Sequence, residues 1–285
     1  MSVVITGATG HLGRLVVEDL LAGGLPADQI TATGRDTAKL ADLSAKGVST
    51  ARADFGDPAS LKAAFEGADT VLLVSGSEVG QRVDQHRNAV EAAKDAGVGH
   101  IVYTSVLNAA ETTLILAPEH KATEEIILGS GLTYTFLRNG WYSENYEQQL
   151  HQARETGTVL TSAGAGRVAS ASRSDYAAAA AAVLRDPAAH ANAVHELSGD
   201  TAWDFGELAA AMGEALGRAV TVTNVTPEEH EAVLTGVGLD EGTARFVVGL
   251  DTGTREGELA ATTGELSRLI GRPTTPLVET LRTLV

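Results

Sequence analysis

Three glycines, Gly7, Gly10 and Gly13, carry the spacing in this chain that points most directly to chemistry. They lie in Thr6-Gly7-Ala8-Thr9-Gly10-His11-Leu12-Gly13, after the apolar run Val3-Val4-Ile5 and before a helical pattern. One glycine permits a tight turn, another lets the backbone approach a pyrophosphate, and the last allows close helix–strand packing. The helix that follows offers unpaired N–H groups and the positive end of its dipole to the same diphosphate. Strand, loop and helix at the start of a βαβ unit form the setting that this motif requires. Gly7, Thr9, Gly10, His11, Leu12 and Gly13 are therefore expected to hold a dinucleotide.

The end of the second strand selects between dinucleotides. An acidic residue there suits the ribose diol of NAD, whereas arginine suits a 2′-phosphate. This chain reads Thr33-Gly34-Arg35-Asp36, with Lys39 a turn further on. Arg35 can grip a phosphate through two N–H bonds, so NADP(H) is the expected cofactor. Asp36 keeps the ribose reading open. At the end of the third strand, Asp54 can accept from an adenine amino group and Phe55 can lie against its ring. The other reading of that pair is a helix-capping Asp beside a core Phe.

These residues need a scaffold with its strand ends at one edge. Short apolar runs at Val3–Thr6, Ile30–Thr33, Ser49–Ala53, Thr70–Val74, His100–Thr104 and Thr133–Leu137 read as strands. Helical patterns at Leu12–Ala22, Ser60–Phe65, Val83–Ala96 and Pro118–Leu128 alternate with them. That order implies an α/β doubly wound parallel sheet of the Rossmann type. Residues 1–150 are assigned to this dinucleotide-binding domain. Residues 151–285 read mostly as a smaller, interleaved α/β substrate or lid domain, with the segment 168–197 rejoining the sheet. There the sequence predicts a helix at Asp175–Leu184 capped by Ser174, and a strand at Val194–Leu197. Helices near Phe205–Leu216, Pro227–Leu234 and Asp240–Leu250 and a strand at Val220–Val225 follow. The run Ala177–Ala182 reads as close helix–sheet packing.

Composition narrows the class further. The 285 residues carry a formal net charge of −16, which argues against nucleic-acid and anionic-membrane partners. The chain has no cysteine, so disulfides and thiolate chemistry are excluded. The first strand follows Met1-Ser2 directly and no apolar run is long enough for a membrane span, so a cytoplasmic location is expected. His11, His86, His100, His151, His190, His195 and His230 show no metal-ligand spacing and read as structural or surface residues; no metal is expected.

Longer segments carry a family resemblance. The opening Gly7-Ala8-Thr9-Gly10-His11-Leu12-Gly13, Arg35-Asp36, and Ala53-Asp54-Phe55-Gly56-Asp57 resemble the NmrA-like branch of atypical short-chain dehydrogenases. So do Ser75-Gly76-Ser77-Glu78-Val79-Gly80-Gln81-Arg82, Gln85-His86-Arg87-Asn88 and Arg173-Ser174-Asp175-Tyr176. The run from Tyr134 to Asn145, with Arg138-Asn139-Gly140-Trp141-Tyr142-Ser143-Glu144-Asn145 at its end, is more specific than the glycine loop. The likeness extends to Leu269-Ile270-Gly271-Arg272-Pro273-Thr274-Thr275. It implies an NADPH-dependent reductase of quinones, with Val74, Ser75, Gly76, Ser77, Thr104, Arg138, Asn139, Gly140 and Trp141 joining the cofactor site. It also implies a substrate held between the sheet edge and the small domain.

The chain departs from conventional short-chain dehydrogenases in its acid–base residues. Lys121 has Ala117 four residues before it, so the usual Tyr-x-x-x-Lys pair is missing. A quinone tolerates that loss, because it accepts hydride readily and its reduced form is stabilised by conjugation. The protein then mainly holds the two rings within about 3–3.5 Å. Hydrogen-bond donors toward the quinone are expected among His120, Tyr142 and Gln81, with Glu124 orienting His120 and raising its pKa. A non-catalytic NADP(H)-binding regulator is the alternative, and the missing pair is compatible with it. Oligomeric state stays open.

Overall fold

The computed structural model describes residues 1–285, and the chain divides into two units. The first unit comprises 1–110, 118–139 and 173–196; the second comprises 111–117, 140–172 and 197–285. The chain thus changes unit several times, passing to the second unit at 111–117 and 140–172 and returning to the first at 173–196.

The first unit runs β1 (Val3–Ile5), α1 (His11–Ala22), β2 (Ile30–Gly34), α2 (Ala41–Ala45), β3 (Ser49–Arg52) and α3 (Pro58–Phe65). It continues through β4 (Thr70–Leu73), α4 (Arg82–Asp95), β5 (His100–Val106), α5 (Ala117–Ser130) and β6 (Thr133–Asn139). After α6 (Glu147–Thr156), β7 (Thr158–Thr161) and β8 (Arg167–Val168), the chain returns with α7 (Arg173–Arg185) and β9 (Ala193–Leu197). These strands form one seven-stranded sheet in the order β3-β2-β1-β4-β5-β6-β9, and every pair from β3 through β6 is parallel. The sheet is the doubly wound parallel one that the sequence predicts, with β9 at its edge beside β6.

Burial explains the layers. β1, β4 and β5 are buried along their whole length, as central parallel strands covered on both faces must be. On one face α1 buries Leu12, Val16, Val17 and Leu20 at helical spacing and packs along α7. The alanine run of α7 lets the two helices approach closely. On the other face α3 and α4 pack together over Phe65, Tyr103 and Phe136. α7 begins at Arg173, so Ser174, expected as its cap, lies inside the first turn.

The second unit adds β10 (Trp203–Asp204), α8 (Phe205–Leu216), β11 (Thr221–Asn224), α9 (Pro227–Gly236), α10 (Glu241–Arg255), α11 (Glu265–Ile270) and α12 (Leu277–Arg282). β7 pairs in parallel with β11, and β8 is antiparallel to β10. Asp204 and Thr226 close capping boxes with Glu207 and Glu229, which starts α8 and α9 where the sequence predicts them. No helix is long and apolar enough to cross a membrane.

Candidate functional site

The glycine loop has the geometry that its spacing demands. Gly7 adopts φ +63°, and Gly10 donates its N–H to Gly7 O at 2.9 Å, which turns the chain into α1. A Cβ on Gly13 would stand 2.6 Å from Gly7 O and 2.9 Å from Thr6 O, so no side chain fits there. Gly10 is the N-cap and brings no side chain to the first turn, which leaves its N–H groups to a ligand. Gly34 completes the cradle, because a Cβ there would meet Thr9 Cγ2 at 2.5 Å. Leu12 is buried, and only its backbone serves the loop.

Beyond Gly34 the two charges separate. Asp36 caps the next turn, accepting from Ala38 N–H at 3.1 Å, and so spends a carboxylate oxygen locally. Arg35 stays largely exposed and pairs with Glu78, Nη1 to Oε1 at 2.9 Å. Asp54 Oδ1 accepts from Gly56 N–H at 3.0 Å and its other oxygen faces Arg52, while Asp57 caps α3. The half-buried Phe55 ring meets His86 edge-on with centroids 5.7 Å apart.

The loop after β4 is tied down by buried polar groups. Val74 donates to Thr6 Oγ1 at 2.9 Å and Ser75 to Thr104 Oγ1 at 2.8 Å. Gly76 N–H donates to His86 Nε2 at 3.0 Å, so the His86 hydrogen must sit on Nδ1. Nδ1 then donates to Thr123 Oγ1 at 3.0 Å, and the Thr123 hydroxyl donates to Glu119 O at 2.8 Å. Burial lowers the His86 pKa to about 3, and Arg82 nearby acts in the same direction. A protonated ring would set one N–H against another, so the neutral form is built in. Arg82 closes the loop, donating from Nε to Gly76 O at 2.8 Å and from Nη1 to Glu119 at 2.8 Å.

A second histidine lies one helical turn before Glu124. His120 is 6% exposed, and its Nδ1 lies 2.8 Å from the Tyr103 phenol oxygen. Assigning the phenol as donor places the His120 hydrogen on Nε2. Burial drives the His120 pKa down to about 3, with Arg82 and His86 adding to the effect. Glu124 does not orient it: both Glu124 oxygens take Arg138, from Nε at 2.9 Å and Nη2 at 2.6 Å. Arg138 also donates to Glu196 at 2.7 Å, and Glu196 accepts from Asn108 N–H at 2.8 Å. On β5, Ser105 Oγ is buried with no hydrogen-bond partner, on the same sheet face as Tyr103.

In the second unit, Trp141–Ser143 runs extended beside Ala171. Ala171 donates to Trp141 O at 3.1 Å, Ser143 donates to Ala171 O at 2.9 Å, and Tyr142 bridges Ala171. Gly140 donates to Leu197 O at 2.7 Å. A buried Ser162–His230–Asp251 cluster has the composition of a nucleophilic triad but not its geometry. Ser162 Oγ and Asp251 Oδ2 both approach His230 Nδ1, at 3.0 and 3.2 Å, whereas a triad needs opposite ring nitrogens. It ties β7, α9 and α10 together.

A family model described as NAD(P)H-binding matches residues 7–187. The chain belongs to this NAD(P)H-binding family. Quinone oxidoreductase 2 of Escherichia coli is 47% identical over 279 residues, covering 98% of this chain and 97% of the relative. An NmrA-like family domain-containing oxidoreductase of Aspergillus flavus is 31% identical over 299 residues, covering 100% of this chain and 95% of the relative. The crystal structure of an E. coli NADPH-dependent quinone oxidoreductase complexed with NADPH superposes with a TM-score of 0.94 at 47% identity, covering 99% of both chains. The resemblance read from the motifs therefore holds.

Several expected residues also have internal partners in this NAD(P)H-binding protein. Arg138, expected at the cofactor, is committed to Glu124 and Glu196 because burial demands paired charge. Thr104 gives its hydroxyl to the β4 end, and Ser105 holds the unpartnered one. The His120 pKa is lowered by desolvation, not raised by Glu124. Gln81 is the exposed N-cap residue of α4, without a side-chain cap bond. Glu78 and Glu119 carry no role on sequence, Ser105 only that of a hydroxyl beside Thr104 at the end of the fifth strand, and His86 reads only as structural or surface. Their one signal was proximity to the motifs that carry the resemblance.

Proposed function

We propose that this chain is an NADPH-dependent quinone reductase acting in the cytoplasm. The diphosphate would rest on Gly7–Gly13 and the first turn of α1, the 2′-phosphate on Arg35, and the adenine against Asp54 and Phe55. Val74–Ser77, Thr104, Asn139, Gly140 and Trp141 would line the remaining length toward the nicotinamide. The NADPH preference rests on one observation at the end of β2: Arg35 is exposed while Asp36 is spent on its own cap. The quinone comes from the near-full-length likeness to quinone oxidoreductase 2.

Bound NADPH supplies a hydride. The residues have a lighter task than in carbonyl reduction, and the chain is built accordingly. Lys121 points its ammonium at Ala110 O, 3.3 Å away, and Tyr103 gives its phenol to His120. His120 stays neutral and offers Nε2–H as a fixed donor toward a developing oxyanion, a role that needs no imidazolium. Hydride transfer leaves the hydroquinone monoanion, and the one proton that completes the hydroquinone comes from solvent. Tyr142, on an anchored backbone, walls the substrate.

Steady-state loss of reduced nicotinamide, followed with a panel of small quinones and flavin-free protein, tests the reading. Turnover with a primary isotope effect from transferred deuterium is expected where chemistry limits the rate. Tight NADPH binding without turnover across the panel overturns it and leaves a regulator.

A further inference from the structure

We propose that Glu78 is a built-in competitor for Arg35, and that it sets how strongly the chain prefers NADPH over NADH. The inference rests on the reading above that Arg35 meets the 2′-phosphate.

The carboxylate is placed there by a structured loop. Glu78 Oε1 takes Arg35 Nη1 at 2.9 Å, and its other oxygen accepts from Gln85 Nε2 at 2.8 Å. The loop itself is clamped. Arg82 holds Gly76 O, and Glu119 takes both Arg82 and Gly80 N–H, the latter at 2.8 Å. Gln85 and Arg82 sit on α4, whose buried face includes His86 and Val90. Glu78 is therefore aimed at Arg35 from a fixed base.

Charge and exposure decide which partner wins. The Arg35 and Glu78 side chains are 71% and 39% exposed, and an ion pair that wet contributes little. A phosphate carries more charge and accepts two parallel N–H bonds from a guanidinium, so it displaces the carboxylate. It still has to break the pair, and it arrives beside a like charge. A ribose hydroxyl has no charge to offer Arg35, so NADH leaves the pair in place. Glu78 thus weakens NADPH binding selectively and holds the preference below what Arg35 alone would give.

The test titrates NADPH and NADH against wild type, Glu78→Gln, Arg35→Ala and the double variant, each checked for a native melting curve. Glu78→Gln keeps an acceptor for Gln85 but loses the charge. It is expected to tighten NADPH by about three- to fivefold and leave NADH within about twofold. In the Arg35→Ala background the same change should have no effect on NADPH. If Arg35→Ala leaves the NADPH-to-NADH ratio unaltered, the placement of the phosphate is wrong and this proposal falls with it. If Arg35→Ala lowers the ratio by tenfold or more, the placement stands, and Glu78 alone is then in question. Unchanged NADPH affinity in Glu78→Gln, or equal gains for both cofactors, would overturn its role.

Discussion

The Tyr103 phenol and the His120 imidazole share a 2.8 Å hydrogen bond, and both rings are buried between β5 and α5. Burial pushes the Tyr103 pKa up and the His120 pKa down, so both partners are neutral across the working range. The pair is a fixed dipole rather than a proton reservoir.

That arrangement has a signature in stability. An unfolded histidine titrates near 6.5, whereas burial pushes His86 and His120 down to about 3 in the folded chain. Between those values the unfolded chain binds more protons, so stability falls as pH drops through this window. Each ring contributes about 1.4 kcal/mol per pH unit. Urea unfolding at pH 7 and pH 5 should therefore show a shallower loss in His120→Asn than in wild type. Equal losses in the two proteins would mean that the folded ring titrates normally.

His86 should act through Gly76. Replacing it by leucine strands a half-buried backbone N–H, at a cost of about 1–3 kcal/mol in stability. It also frees the loop that is proposed to carry Ser75 and Ser77 toward the cofactor. NADPH affinity is expected to fall about tenfold, while kcat at saturating NADPH changes little. A fall in melting temperature with unaltered NADPH affinity would confine His86 to a structural role.

Lys121→Ala separates this chain from conventional acid–base reductases. The ammonium is exposed and donates to the backbone carbonyl of Ala110. A general acid or base typically contributes about 10²–10⁴-fold. A change in kcat of only a few-fold with a quinone is expected. A thousandfold loss in a folded variant would restore Lys121 to the chemistry.

What the sequence revealed and what it hid divide along sequence separation. The glycine loop was legible because strand, turn and helix each leave a local period, and Gly13 has a steric reason visible at six residues' range. β1, β4 and β5 were legible as buried apolar runs, whereas β3, with no buried residue, was legible from its place in the strand–helix alternation. Arg138 drew a cofactor reading because a charge beside a specific motif looks like a ligand, and its ion pairs were not visible there. Its partners, Glu124 and Glu196, stand 14 and 58 residues away and belong to another helix and another strand. Glu78 meets Arg35 across 43 residues, a contact that exists only once β2 and β4 flank β1. The two-residue strands β8 and β10 are too short to carry any period.

Tyr142 is where substrate binding and proton supply can be told apart. Its backbone is held by the bridge to Ala171, so truncating the side chain should leave Trp141–Ser143 in place. The ring is half-buried, and a wall of that size contributes about 1–2 kcal/mol to an apolar ligand. Loss of a surface that holds quinone and transition state equally raises KM and spares kcat. Tyr142→Ala is therefore expected to raise the KM for a small quinone about tenfold while kcat stays within about threefold. Tyr142→Phe, which keeps the wall and removes the hydroxyl, should resemble wild type in both constants. If Tyr142→Phe instead lowers kcat a hundredfold with KM unchanged, the phenol is donating to the quinone oxygen and His120 is not the donor.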